Sequence, residues 1–391
     1  MCLIHYIGGA FTHKPQELSD RISQRAADLI KRAFDDIDSE RLVDHHVHIA
    51  GLGANGSGAF VNAKMRTWRH PFHRLKFKVY MSSAAADDEH TADDQFVNRL
   101  AELVENIPQH GNHRLLAFDK HYRPDGSVDL EKTEFYTPNE YVFGLAEQQR
   151  DKFVANISVN PYRPDAIAEL EKWARRGARV VKWLPNAMGI DPSDARCDPF
   201  YEKLKELDLI LLSHGGEEKA VEAEEDQKLG NPLLLRRALD HGVKVIVAHC
   251  AGLGTNEDLN NRDRKQIDNF DLFLRLMDER QYEGLLFGEI SAMTQFNRSG
   301  KPLRTILARE DLHERLVNGS DYPLPAVNLL IRTRPLVKQG YINNSEASSL
   351  KEIYDYNPLL FDFVLKRTLK LPGTSRSLPA SIFMVNHALC A

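Results

Sequence analysis

His46-Val47-His48 places two imidazoles two residues apart at the end of an apolar run, with Asp44 two residues earlier. In a β-strand, residues i and i+2 project from the same face, so both rings would point one way. Imidazole is the commonest metal-ligating side chain and the usual proton carrier near neutral pH. Alone the pair is weak, because 16 His in 391 residues yield such a spacing by chance about as often as not. Recurrence gives it weight. Lys182 lies in Val181-Lys182-Trp183, His214 follows Leu209–Ser213, His249 follows Val243–Ala248, and Asp321 closes the stretch that opens with Arg315. Each apolar run would bury a polar or charged group that needs a partner, and one divalent cation would satisfy most of them together.

Those residues need a scaffold that brings strand ends to one place. Eight short apolar runs supply it: Leu42–Ile49, Arg114–Phe118, Phe153–Val159, Arg179–Trp183, Leu209–Ser213, Val243–Ala248, Gly284–Ile290 and Arg315–Asn318. Amphipathic helical stretches separate them, such as Pro164–Arg175, Pro199–Glu206, Pro232–His241 and Phe270–Arg280. Doubly buried strands alternating with helices at about 30 residues per unit signal a parallel α/β fold. Eight units, with no Gly-rich nucleotide loop after the first strand, favour a closed (β/α)8 TIM barrel. The spacing of Leu18, Ile22, Ala26, Leu29 and Ile30 predicts a helix over 16–36 capped by Ser19-Asp20. The chain divides into a helical N-terminal extension (1–41), the barrel (42–371) and a tail (372–391). An insertion after strand 1 spans 54–112, in which Lys76–Ser82 reads as an additional strand. Segments inserted after a strand's C-terminal end lie over a barrel's active site.

Composition narrows the class of function. With 42% hydrophobic residues the chain is not disordered, and 51 Lys+Arg against 56 Asp+Glu leave no basic excess for nucleic acid or a membrane surface. The N-terminus lacks a signal-peptide pattern and no apolar run is long enough to span a bilayer. Four Cys without a framework spacing suit a reducing, cytoplasmic setting. A small-molecule substrate is expected, and a homodimer is left open.

In residue type and strand order, this pattern resembles the amidohydrolase superfamily: HxH on strand 1, Lys on strand 4, His on strands 5 and 6, and Asp on strand 8. The Gly319–Pro323 and Asn357–Phe361 segments look like the closing portion of the same family, and the resemblance runs from Leu42 to Phe361. Helical residues before Asp44, where many members build a β-sandwich domain, make the chain similar to the amidohydrolase-related branch of hydrolases and aminocarboxymuconate-semialdehyde-type decarboxylases. The resemblance implies a divalent metal, Zn²⁺ first, held by His46, His48, His214 and Asp321. The ion would lower the pKa of a water and polarise the scissile carbonyl. Asp321 would relay the proton, and His249 would stabilise the oxyanion or ligate a second ion. Lys182 would bridge two ions if carboxylated, or stand as a fixed cation if not; the branch favours the second, with one ion. The implied activity is hydrolysis of a C–N or C–O bond in a small carboxylate-bearing carbonyl compound. A metal-dependent decarboxylase is the alternative, and a non-catalytic barrel the third reading.

Softer candidates for substrate contact are Glu289 and Arg298 at and after strand 7, and Trp68 in the insertion. Glu217, Glu218, Arg66, His70, His73, Lys120 and His121 fall in loops of the same end, and Gly215-Gly216 suggests a close backbone approach. His241 reads as a helix C-terminal residue. His5, His13, His110, His113, His313 and His387 carry no expected site role, and Cys250 reads as a small buried residue.

Overall fold

A computed structural model describes residues 7–8, 13–123, 125–220 and 224–389; His5, Cys2 and Cys390 lie outside them. Eight strands run in parallel: β1 (Val43–His48), β2 (Asn112–Leu116), β3 (Phe153–Asn156), β4 (Val180–Trp183), β5 (Ile210–His214), β6 (Val245–Ala248), β7 (Leu286–Glu289) and β8 (Leu316–Val317). Register pairs β1 with β2 and β2 with β3 in one sheet, and joins β4 through β8 in a second. Two sets of backbone hydrogen bonds close the circle. Ile157 N donates to Val180 O at 3.0 Å and Lys182 N to Ile157 O at 2.7 Å, joining the end of β3 to β4. Between the first and last strands, His45 N donates to Asn318 O at 3.0 Å, Asp321 N to His46 O at 2.7 Å and His48 N to Tyr322 O at 3.0 Å.

Strand alternation sorts the side chains into two cores. Leu116, Val180, Ile210, Leu212, Ile246, Phe287 and Val317 form a cluster of their own, contributed by six strands, which is the packed barrel interior. Val47, Leu115, Val181, Leu211 and Val247 belong instead to the larger core between strands and helices. Two residues beyond the inner-layer Val180, Leu212 and Phe287 come Lys182, His214 and Glu289. The same period of two that fills the barrel therefore carries polar groups to its mouth.

The helical layer begins with α1 (Gln24–Ala33), followed by α2 (Pro71–Ser83) and α3 (Ala92–Glu105) after β1. Helices α4 (Asn139–Gln148), α5 (Ala166–Arg175), α6 (Asp198–Glu206), α7 (Arg236–Asp240), α8 (Asn269–Met277) and α9 (Lys301–Ala308) follow β2 to β7 in turn. After β8 come α10 (Thr333–Gln339), α11 (Asn344–Tyr356) and α12 (Pro358–Thr368). Two local expectations are corrected. Lys76–Ser82 is not a strand but the body of α2: Pro71 sits at its first helical position, and Phe77, Tyr80 and Met81 share the face toward the barrel mouth. The α1 cap is Ser23, whose hydroxyl accepts from Ala26 N at 3.3 Å, because Leu18–Arg21 form a separate short turn that breaks at Ile22.

The tail is tied to the barrel's closing edge. Val385 N donates to Arg41 O at 2.7 Å and Asn318 N to Ile382 O at 2.8 Å, with Ile382 and Phe383 buried beneath. Among the described residues, no helix is long and apolar enough to cross a membrane.

Candidate metal centre

At the mouth of the barrel the side chains of β1 and the turn after β8 converge. His46 Nε2 lies 3.1 Å from His48 Nε2, His48 Nε2 lies 3.2 Å from Asp321 Oδ1, and His46 Nε2 lies 3.5 Å from the same oxygen. A tetrahedral ion with ligand bonds of about 2.0–2.1 Å sets its donor atoms about 3.3–3.4 Å apart, so these three fit such an ion. His214 closes in from β5: its ring centroid is 5.2 Å from that of His249, and its buried Nε2 has no hydrogen-bond partner among the described residues. Lys182 Nζ from β4 approaches His46 Nε2 at 3.3 Å. The structure thus brings together all six residues of the strand-end pattern.

Backing groups hold them in place. Glu289, fully buried on β7, faces His46 Nδ1 at 2.9 Å through Oε2, and accepts from Ser291 Oγ at 2.7 Å and from Ser291 N. His249 Nδ1 meets Ser291 Oγ at 2.7 Å, and its Nε2 lies 3.8 Å from Asp321 Oδ2. Asp44 Oδ1 accepts from His46 N at 3.0 Å and from Ser320 N at 2.8 Å, so one carboxylate ties the HxH segment to the turn carrying Asp321. A register irregularity in β1 between Asp44 and Val47 lies at this point, as bulges beside active sites often do.

Half of the described non-glycine residues with left-handed backbone lie in the same place. His249, Cys250 and Ala251 have φ of 56°, 48° and 49°, and Ala292 and Asp321 have 58° and 59°. Left-handed backbone disfavours every one of these side chains, and such outliers persist where the surroundings over-determine them. Gly216, at φ 91°, donates its N–H to Gly230 O at 2.7 Å, which is the close approach expected of the paired glycines.

Burial sets the protonation states. Desolvation, reinforced by the Lys182 ammonium, holds His46 well below the ordinary histidine range and takes His214 to about 3. Burial likewise lowers His249, with Arg298 as the next cause. All three are therefore neutral at pH 7, the form that ligates a metal. Burial lowers Lys182 to about 8 against the opposing pull of Asp321, Glu289 and Glu218, and raises Glu289 to about 7.

Above the cluster opens a cavity of about 360 Å³. Its floor is His46, His48, Lys182, His214, His249 and Asp321; its walls are largely apolar, with Phe77, Met81, Phe96, Phe135, Leu184 and Leu253 among them. The segment after β1 roofs it through Met65, Phe77, Tyr80, Met81 and Phe96, and Tyr80 Oη donates to Ala220 O at 3.1 Å in the loop after β5.

The softer candidates divide. Arg298 is buried, lines the cavity and donates to Gln295 Oε1 at 2.8 Å. Glu218 also lines it, 3.6 Å from His214 Nδ1. Glu289 does not reach the cavity, since its carboxylate is spent on His46 and Ser291. Trp68 is 78% exposed with the Arg74 guanidinium 3.7 Å from its ring, and stands outside the cavity. Arg66 pairs with Glu89, Lys120 lies over the Tyr136 ring, and His70, His73, His121 and Glu217 are not among the lining residues. Ser291 and Tyr80 were not anticipated. Ser291 had a detectable signal, a hydroxyl two residues beyond a strand-end carboxylate, whereas Tyr80 was hidden by the strand reading of its segment.

No curated protein sequence matches the chain. Among solved structures it is similar to an uncharacterised TIM-barrel protein from Bordetella bronchiseptica (14% identity, 80% of this chain and 94% of that one, TM-score 0.48). It is also similar to a 4-oxalomesaconate hydratase from Rhodopseudomonas palustris (15%, 72% and 81%, TM-score 0.39). A 5-carboxyvanillate decarboxylase from Sphingomonas paucimobilis aligns at 13% identity over 74% and 92% of the two chains, with a TM-score of 0.40. Residues 43–331, which hold every residue of the strand-end pattern, match the amidohydrolase family model, and the chain belongs to that family.

Proposed function

We propose that the protein is a metal-dependent hydrolase that cleaves a C–N or C–O bond of a small carbonyl compound bearing a carboxylate and an apolar body. The observation that carries this is the spacing of His46 Nε2, His48 Nε2 and Asp321 Oδ1, 3.1–3.5 Å apart at the floor of a cavity whose walls are largely apolar. His46, His48, His214 and Asp321 would hold one divalent ion, Zn²⁺ in the first instance. When bound, that ion supplies Lewis acidity to the substrate carbonyl and to a water molecule.

The chain's own residues then divide the work. Asp321 Oδ2 faces His249 Nε2 and takes the proton that water loses as its oxygen bonds to the carbonyl carbon. The same carboxyl returns that proton to the departing nitrogen or oxygen as the C–N or C–O bond breaks. His249, its Nδ1–H fixed on Ser291 Oγ, presents Nε2 beside Asp321 Oδ2 and in its protonated form would stabilise the charge that develops on the carbonyl oxygen. Lys182 adds positive charge at the floor and, in the one-ion reading, is not carboxylated. Arg298 is the guanidinium for the substrate carboxylate, and Phe77, Met81 and Phe96 take the apolar body. Glu289 serves by orienting His46, and Trp68 has no part.

Purified protein should carry about one equivalent of Zn²⁺ or Mn²⁺, and Asp321→Asn should lower kcat/KM on a responsive amide or ester by at least about 10³-fold. Metal-free protein whose His46→Ala and Asp321→Asn variants bind ligand as wild type does would sink the reading. Buried cations beside a carboxylate site also suit loss of CO₂, so product analysis decides the reaction: CO₂ release without incorporation of solvent oxygen assigns a decarboxylase.

A further inference from the structure

Lys366 on α12 is 1% exposed and never approaches the cavity. Its Nζ donates to Asp362 Oδ2 at 2.5 Å, one turn earlier on the same helix, and to Gly319 O at 2.6 Å; Asn318 Oδ1 lies at 3.5 Å. Removing two charges from water costs several kcal/mol per ion, and an apolar pair of similar size is often as stable, so helix packing alone does not call for this pair. What it touches is informative. Gly319 lies two residues before Asp321, and a Cβ built on it would fall 2.5 Å from Glu289 Oε1 and 2.7 Å from His46 Cβ. The backbone that Lys366 grips is therefore wedged between the residue carrying the metal-side imidazole and the carboxylate behind it. Ser320, the next residue, is held from the opposite side by Asp44.

We propose that Lys366, held by Asp362, is a positioning residue for the metal centre: by fixing the Gly319 carbonyl it sets the turn that presents Asp321 to His46 and His48. The inference rests on the metal-centre reading above. Its consequence is that metal affinity depends on an ion pair lying outside the cavity, as partners behind first ligands do elsewhere.

The test uses the full-length chain and Zn²⁺ titrated against a chromogenic chelator, with apo-protein thermal unfolding measured in parallel. The variant Asp362→Leu/Lys366→Met removes both charges at similar volume. It should fold, melt in the apo form within a few degrees of wild type, and bind Zn²⁺ about 10- to 100-fold more weakly. Lys366→Met alone leaves Asp362 uncompensated and should lose both affinity and apo stability. A double variant that binds Zn²⁺ as tightly as wild type, or that fails to fold, assigns the pair to structure alone and overturns the proposal. Wild-type protein that binds no divalent metal overturns the underlying reading instead.

Discussion

Glu289 governs the chemistry of His46 without reaching the cavity. Its carboxylate meets four donors, Ser291 N, Ser291 Oγ, His249 N and the proton on His46 Nδ1, which leaves the His46 Nε2 lone pair facing His48 and Asp321. An amide at this place must turn its NH₂ toward one of those donors. Glu289→Gln should therefore weaken metal binding by about 10- to 100-fold with little loss of fold, a result that chelator titration and circular dichroism would read together. Unchanged affinity would show that the tautomer is set elsewhere. Gly319→Ala probes the same contact sterically: its methyl would overlap Glu289 and His46 and should cost about 1–3 kcal/mol in urea unfolding. At this scale, residue type and strand-end position made the convergence of the six polar side chains at the barrel mouth legible, because polar groups in apolar runs need partners. The sequence carries no direction for a side chain, so Glu289 read as a substrate contact and Trp68 as part of the cavity, while Lys366, on a helix far along the chain, gave no sign at all.

Strands β1 to β8 were readable because burial on both faces makes each a compact apolar run. The segment Lys76–Ser82 misled for a physical reason: its alternating polar and apolar residues fit a strand, yet Pro71 starts a helix and an i, i+3, i+4 face of Phe77, Tyr80 and Met81 has a cavity to cover. β2 shows what burial does to a residue that composition cannot distinguish. His113 is 5% exposed on the face it shares with Leu115, its Nδ1 has no partner among the described residues, and burial lowers its pKa to about 4. In the folded chain it stays neutral, whereas the unfolded chain takes up a proton below the ordinary value of 6.5. Its contribution to stability is thus fully present above pH 6.5 and is lost as pH falls toward 4, by about 3 kcal/mol. Urea unfolding at pH 7 and pH 4.5 should show His113→Leu losing less stability than wild type by most of that amount. An equal loss in both would show that His113 is charged, or wet, in the folded state.

As a whole the molecule is a ring with two thin seams, one between β3 and β4 and one between β8 and β1, and the second bears on the candidate ligands. β8 is only two residues long, and three backbone hydrogen bonds carry the closure from its trailing turn to β1. The candidate ligands straddle that seam: His46 and His48 stand on β1, and Asp321 on the turn after β8. An ion held by both sides would act as a staple across it, and the Asp44 bridge to Ser320 and the tail contact at Asn318 lie along the same line. Ligand binding at a hundredfold excess over Kd stabilises a fold by about 2.7 kcal/mol, and at this site that stabilisation would fall on the seam. Chelation should therefore lower the melting temperature and, in hydrogen exchange, speed the amides of His45, His48 and Asp321 well before those of β5 and β6, whose pairing runs unbroken on both sides. Uniform acceleration around the ring would mean that the ion stabilises the barrel globally; unchanged exchange at the seam would mean that Asp321 and the two histidines do not share it.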